Sequence, residues 1–422
     1  MEILLINPPQ IPLQDFNILT ALRKGYPAYP PMGLGYLTAS LKEHGRTDIE
    51  LYDCHLEGML KIMNKEADHA GIFMELLESK LKSVSDVKVI GLTIMFSSLF
   101  DNVGNCLKMI RDIHPKATIV VGGVHATMAT KSLYKFSEID YILSYEGEFT
   151  FPQLLDYILD GKGDKESIQG LHYRVDGEYV GNVGANITGK RTSLNGLVWA
   201  DWKAMRTTEY YKTGRFGGAY ALGENENIPF ASIITTRGCR AECAFCTVHN
   251  VMGRNVRMRT PKDVVDEIEY LNKELGVRFI EILDDDFTYD RQRSMDICNE
   301  IINRKLDIIW TAKNGLIACS LTREMVEVFY KSGCRYIQIG VESGNKEILK
   351  WIRKPLNLKR LKKVREMFRE FPGIYLAGYF MLGFPQETKE QMLDTYKLAL
   401  ELELDWCAIT MAQPLPSSRM YE

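Results

Sequence analysis

Short runs of β-branched and apolar residues recur along this chain, separated by stretches whose apolar positions repeat every three to four residues. That alternation restricts the fold severely. Strands buried on both faces lose the polar–apolar alternation of a half-exposed strand, and helices of one-sided pattern between them are the crossovers of a parallel sheet. The rhythm occurs twice, on either side of an interruption, and a length of 422 residues fits two such bodies.

In the first stretch, strands are expected at 3–7, 49–53, 89–95, 118–122 and 139–144, with helices at 32–44, 100–113 and 151–159 among those between them. These predict a doubly wound, Rossmann-like parallel sheet over residues 1–161. Residues 162–230 read as a linker. Within it, strand-like runs at 171–175 and 179–183 flank Asp176-Gly177-Glu178, a hairpin signal, and a glycine-rich stretch follows at 214–223. From 231 to 422 the rhythm resumes, with strands expected at 232–236, 279–284, 308–312, 336–341, 375–381 and 408–411. Helices are expected at 261–274, 291–304, 322–332, 358–371 and 388–403, with Thr260 as an N-cap and Pro261 in the first turn. Six such units predict a partial (β/α)6 barrel of the TIM type, with no closing helix after the sixth strand.

Composition narrows the function classes. A hydrophobic share of 45% and a charged share of 25% are those of an ordinary globular protein, and a net charge of −3 gives no long-range pull on polyanions. No nucleic-acid partner is therefore expected, and the basic run Lys359, Arg360, Lys362, Lys363, Arg365 and Arg369 reads as one solvated helix face. The N-terminus lacks the charged start and long core of a signal peptide, and no run reaches the roughly 18 apolar residues that span a bilayer. A cytoplasmic protein without a membrane span is expected. Nine cysteines, odd in number and mostly scattered, do not form a disulfide framework, and in a reducing compartment a clustered set binds metal.

One such cluster exists. The run Thr235-Thr236-Arg237-Gly238-Cys239-Arg240-Ala241-Glu242-Cys243-Ala244-Phe245-Cys246 follows the first expected barrel strand, placing three thiols at the C-terminal end of the strands, where barrels carry their chemistry. Three cysteines on one short loop can wrap a small inorganic cluster. Zinc is the competing reading, with His249 as a possible fourth ligand. The remaining cysteines, Cys54, Cys106, Cys298, Cys319, Cys334 and Cys407, fall mostly in helical or strand patterns and read as small buried hydrophobes.

Cys-x3-Cys-x2-Cys with the aromatic Phe245 before the last cysteine resembles the signature of the radical S-adenosylmethionine superfamily. The resemblance implies that Cys239, Cys243 and Cys246 hold three irons of a 4Fe-4S cluster and that the fourth iron chelates S-adenosylmethionine. It also implies reductive cleavage to a 5′-deoxyadenosyl radical, with electrons from an external donor such as flavodoxin or ferredoxin. Other blocks match in order. The segment from Val256 to Pro261, leading to Val264, Val265 and Glu267, is similar to the segment after the cysteine loop in the cobalamin-dependent branch. Asp284-Asp285-Asp286-Phe287 ends the second barrel strand, and Asp284 and Asp286 are expected to line the cofactor site. Glu342 and Ser343 end the fourth, with Glu342 similar to the acidic residue that contacts the ribose or amino group. Gly383 and Pro385 sit in Gly-Phe-Pro-Gln-Glu-Thr after the fifth, near the adenine. Each block alone is commonly a cap, a strand end or a turn; their shared phase at strand C-termini gives the joint reading its weight.

The first domain resembles the cobalamin-binding domain that precedes many such barrels. Asn7 and Pro8 follow its first strand, Thr93, Ser97 and Ser98 the third, Gly122, Gly123 and His125 the fourth, and Glu146 and Gly147 the fifth. Paired glycines let backbone approach a ligand, and hydroxyls can bond a nucleotide tail. Asp53-Cys54-His55-Leu56-Glu57-Gly58 imitates the Asp-x-His-x-x-Gly pattern whose histidine ligates cobalt elsewhere, but it follows the second strand rather than the first, so His55 is not expected to be a ligand. The resemblance covers nearly the whole chain and implies methylation of an unactivated carbon in a small-molecule or lipid-like substrate. The alternatives are a cyclase, ring-rearranging or oxidative enzyme without net methylation, and a cobalamin-binding carrier or sensor with a degenerate barrel.

Overall fold

A computed structural model describes residues 1–26, 29–182, 193–214 and 228–422. The chain divides into two compact units, Met1–Lys190 with Leu197–Arg215, and Arg191–Gly196 with Phe216–Glu422.

In the first unit, β1 (Ile3–Asn7), β2 (Ile49–Asp53), β3 (Val89–Thr93), β4 (Thr118–Gly122) and β5 (Tyr141–Leu143) run parallel in the order β2-β1-β3-β4-β5. The continuous apolar run of β1 is explained by two cores. Leu4 and Ile6 pack with Phe73 and Leu107 on one face, while Ile3 and Leu5 pack with Leu34 and Leu154 on the other. The order reverses between β1 and β3, so the loops leaving those two strands flank the crevice in which doubly wound sheets bind ligands.

The hairpin expected in a linker belongs instead to this sheet. Strands β6 (Leu171–Val175) and β7 (Glu178–Gly181) add antiparallel to β5, with Leu143 opposite Leu171. The reason is packing: β5 would otherwise present an open edge, and the added strand buries Leu171 and Tyr173 in the second core. The segment after it is fastened to the same unit, where Tyr210 donates to Asp53, Arg206 pairs with Glu57 and Glu209, and Lys42 meets Asp201 at 2.6 Å. Val183 and residues 215–223 of the glycine-rich stretch lie outside the described residues.

The second unit carries β8 (Phe230–Ile233), β9 (Thr236–Arg237), β10 (Arg257–Met258), β11 (Phe279–Ile282), β12 (Ile309–Leu316), β13 (Cys334–Glu342), β14 (Tyr375–Leu382) and β15 (Trp406–Met411). All but β9 and β10 form one parallel six-stranded sheet in the order β8-β11-β12-β13-β14-β15. Its outer face meets the helices, as Trp310 does with Phe329 at 5.3 Å between ring centroids. The opposite face is polar where Ser232, Glu281 and Thr311 stand in register, and Lys313 lies 3.6 Å from Glu281.

The basic run lies on helix Leu358–Arg369, whose Leu361, Val364 and Phe368 are buried. Lys362 pairs with Glu401, Arg369 with Glu403, and Arg365 caps the Leu402 and Glu403 carbonyls. Among the described residues, no helix is long and apolar enough to cross a membrane.

Candidate active site

The cysteine loop leaves β8 and is closed at its base by the two-residue ladder of β9 and β10, with Arg237 opposite Arg257. Gly238 begins the loop with φ +98°, and a Cβ there would stand 2.5 Å from the Asn255 carbonyl oxygen, so only glycine lets the two ends meet. Asp284, at the end of β11, accepts from the Thr235 and Thr236 amides at 2.6 and 2.9 Å and from the Thr235 hydroxyl. Asp286 takes Arg240 in a two-pronged pair, at 2.6 Å from Nε and 2.8 Å from the terminal nitrogen. Beneath the loop, the buried Arg259 meets Glu267 at 2.6 Å, and Arg293 donates to the Arg259 and Thr235 carbonyls.

Asp284 and Asp286, expected to line a cofactor, are thus committed to shaping the loop. The middle carboxylate serves the loop as well, accepting from the Gly238 amide. Burial, reinforced by Asp284, holds Asp285 well above the carboxylate range at about 6, and its charge reaches both Cys239 and Cys246. The Asp triplet is visible in the sequence, but the loop amides that its members take are not.

Burial pushes the Cys239 thiol up to about 12 and the Cys243 thiol up to about 11, and Cys246 is raised by the same cause. Metal must displace those protons, since the ligand is the thiolate. His249 Nε2 donates to the Cys239 carbonyl oxygen at 2.8 Å and supports the loop. Among the described residues, no three His, Cys, Asp or Glu side chains close around a single ion. A cluster divides its thiolates among separate irons, and three thiols on one short loop are a donor set that fits one.

Glu342 ends β13 at φ +66°, a left-handed conformation that is costly for a residue with a Cβ. It accepts from Lys354 Nζ at 2.8 Å. Ser343 turns away, its hydroxyl 3.2 Å from that of Thr395, and serves the junction with helix Lys389–Leu402. Gly383 and Phe384 amides both donate to Glu387, closing the turn that exposes Pro385. Phe245 packs among Ile348, Leu349, Ile352 and Phe384, which anchors the loop apolarly. Lys354 and Asp285 are the site residues that motif spacing did not single out.

In the first unit, the expected residues gather at the C-terminal edge of the sheet. Asn7 donates to Asp53 at 2.9 Å and accepts from Gln10, and Gln10 also bonds the Pro8 carbonyl, so this corner ties β1 to β2. Gly123 has φ +105°, and a Cβ there would stand 2.6 Å from the Ile94 carbonyl oxygen. Its freedom is used for backbone packing between the β3 and β4 loops. His125 is buried, with Ser97 at 2.8 Å on one ring nitrogen and Ser132 at 3.0 Å on the other, and burial lowers its pKa. Thr93 is half-buried and Ser98 exposed along the same edge, while Glu146 stands at the N-cap position of helix Gly147–Asp160. Asp53 caps helix Cys54–Met63 through the Leu56 amide, and His55 accepts from the Gln10 amide and stacks on Phe73. The Asp-x-His-x-x-Gly look-alike is therefore a helix start. Thr93, Ser97 and Ser98 place hydroxyls along this edge, beside the switch point of the sheet.

An open parallel barrel with a cysteine trio at its C-terminal edge, preceded by a doubly wound domain, defines the class of a radical S-adenosylmethionine enzyme with an added binding domain. The comparisons agree. Residues 233–399 match the radical SAM superfamily and residues 19–155 the B12 binding domain. An uncharacterized methyltransferase of Pyrococcus horikoshii is 26% identical over 93% of this chain and 78% of its own length. The cytidylyl-2-hydroxyethylphosphonate methyltransferase of Streptomyces wedmorensis is 26% identical over 92% and 77%. In structure, the chain resembles the radical S-adenosylmethionine methyltransferase TsrM of Kitasatospora setae, solved with cobalamin and a [4Fe-4S] cluster, with TM-score 0.77 and 18% identity over all of this chain and 77% of that one. This chain thus carries a B12 binding domain followed by a radical SAM domain.

Proposed function

We propose that this chain transfers a methyl group to an unactivated carbon of a small or lipid-like substrate in the reducing cytoplasm, drawing electrons from flavodoxin or ferredoxin. The family's bound groups would supply a 5′-deoxyadenosyl radical from S-adenosylmethionine and a methyl group from cobalamin. The protein's part is placement. Cys239, Cys243 and Cys246 would hold the cluster, on a loop that Asp284, Asp286 and His249 keep in shape. Glu342, held by Lys354, stands at the barrel edge as an acceptor for the cofactor's amino or ribose groups. Asp285 lies within charge range of the thiols and would limit anionic ligands on that side. In the first unit, the loops after β3 and β4 offer Thr93, Ser97, Ser98 and the Gly122-Gly123 backbone to cobalamin.

The observation that carries this reading is the anchoring of all three thiols on one loop at the strand C-termini, in a chain that also matches a B12-binding domain. Anaerobic reconstitution tests it. About four irons per chain, bound cobalamin, 5′-deoxyadenosine, S-adenosylhomocysteine and a product one methyl group heavier are expected. Replacing the three cysteines by alanine should abolish iron uptake and nucleoside release together. Deoxyadenosine without methyl gain would establish a cyclase, rearranging or oxidative enzyme instead. Cobalamin binding without iron would establish a carrier or sensor.

A further inference from the structure

A buried cation stands beside the cysteine loop. Helix Lys346–Trp351 follows β13, and the chain then turns back so that the Lys354 amide bonds the Leu349 carbonyl at 3.0 Å. That turn is fastened to the cysteine loop itself, because the Ala244 amide, between Cys243 and Cys246, donates to the Ile352 carbonyl at 2.8 Å. Phe245 packs on the same segment. Lys354 Nζ lies over Gly340, where a Cβ would be only 2.5 Å from it. Its side chain is 12% exposed and that of its partner Glu342 is 8% exposed. On Cys243 and Cys246, the positive charge of Lys354 outweighs the opposing charge of Glu342.

We propose that Lys354 sets the reduction potential of the cluster held by Cys239, Cys243 and Cys246, with Glu342 as the counterweight that limits its effect. This rests on the cluster reading given above. Taking up one electron makes the cluster and its thiolates more negative by one charge, with no bond made or broken. A fixed ammonium in a poorly solvated setting favours that reduced form over the oxidised one. A lysine that served only to neutralise Glu342 would leave the potential where it was.

The test uses the full chain and three variants, Lys354→Met, Lys354→Arg and Glu342→Gln, each reconstituted anaerobically and assayed for iron. Each is then titrated with dithionite while the reduced cluster is followed by electron paramagnetic resonance. At the potential where the parent chain is half reduced, the reduced-to-oxidised ratio should fall about tenfold in Lys354→Met, equivalent to about 59 mV for a one-electron couple. Lys354→Arg should stay near the parent, and Glu342→Gln should rise above it. Iron-loaded Lys354→Met with an unchanged ratio overturns the inference alone. Should that variant fail to load iron, an unchanged ratio in Glu342→Gln overturns it equally. A parent chain that takes up no iron overturns the cluster reading as well.

Discussion

The two sheets present similar C-terminal edges and fix their loops by opposite means. In the second unit the cysteine loop is locked by buried charge, through Asp284, the Asp286–Arg240 pair and the Arg259–Glu267 pair beneath them. In the first, the β3 and β4 loops are held by neutral contacts, namely Gly123 against the Ile94 backbone and the Ser97–His125–Ser132 chain. Buried charges impose strict geometry and fail abruptly when one member is lost, whereas hydroxyls and backbone leave a rim that can adapt. A loop that must aim three sulfurs at one cluster needs the first device. A rim that cradles a large preassembled molecule works with the second.

Breaking the charged lock should have the largest effect. Asp284→Ala strands two amides and a hydroxyl, so we expect a loss of about 3–5 kcal/mol in denaturant unfolding and near-complete loss of iron on reconstitution. On the neutral side, Gly123→Ala forces a Cβ against the Ile94 carbonyl at a positive φ, for about 2–3 kcal/mol and at least a roughly tenfold weaker cobalamin titration. Iron loading should survive it. Asp285 ties the loop to pH. Its pKa, held near 6, lies above its unfolded value, so the iron-free chain binds more protons folded than unfolded between the two. Its stability contribution is therefore complete at low pH and lost as pH rises through 6. Asp285→Asn should flatten that decline and stabilise the iron-free chain at pH 7 by roughly 1–3 kcal/mol, read from unfolding at pH 5 and pH 7. The smallest change is expected for Ser343→Ala, which loses the hydroxyl's contacts to Thr395 and to the Asn345 amide, about 1–2 kcal/mol, with iron content unaffected.

Strands β1 and β4 were legible because they are buried on both sides, and the half-buried edge strand β2 because Ile49, Leu51 and Tyr52 mark it. Strands β1, β2 and β4 occupy the residues their apolar runs indicated, 3–7, 49–53 and 118–122. Where a strand turns polar residues inward, the pattern misleads. The apolar run 308–312 stops before Lys313 and Asn314, yet β12 continues to Leu316, which pairs with Ile339 beyond an irregularity in the ladder at 313–315. The site divides in the same way. The cysteine spacing shows in one line of sequence, since its ligands share a loop. Lys354 lies more than a hundred residues from Cys243, and tertiary contacts such as the Ala244–Ile352 hydrogen bond make them neighbours. Ser343 and Phe245 belong to genuine motifs, but tertiary packing gives them neighbours within the protein.

The ladder joining β9 to β10 gives the cysteine loop a base that requires no metal. Ring closure there is accomplished by main chain and by Asp284, leaving only sulfur–iron bonds to be made when inorganic cargo arrives. Such a mould can be emptied and refilled. A preparation bleached by air should retain its barrel circular dichroism and regain its brown colour on anaerobic repair, without a refolding step.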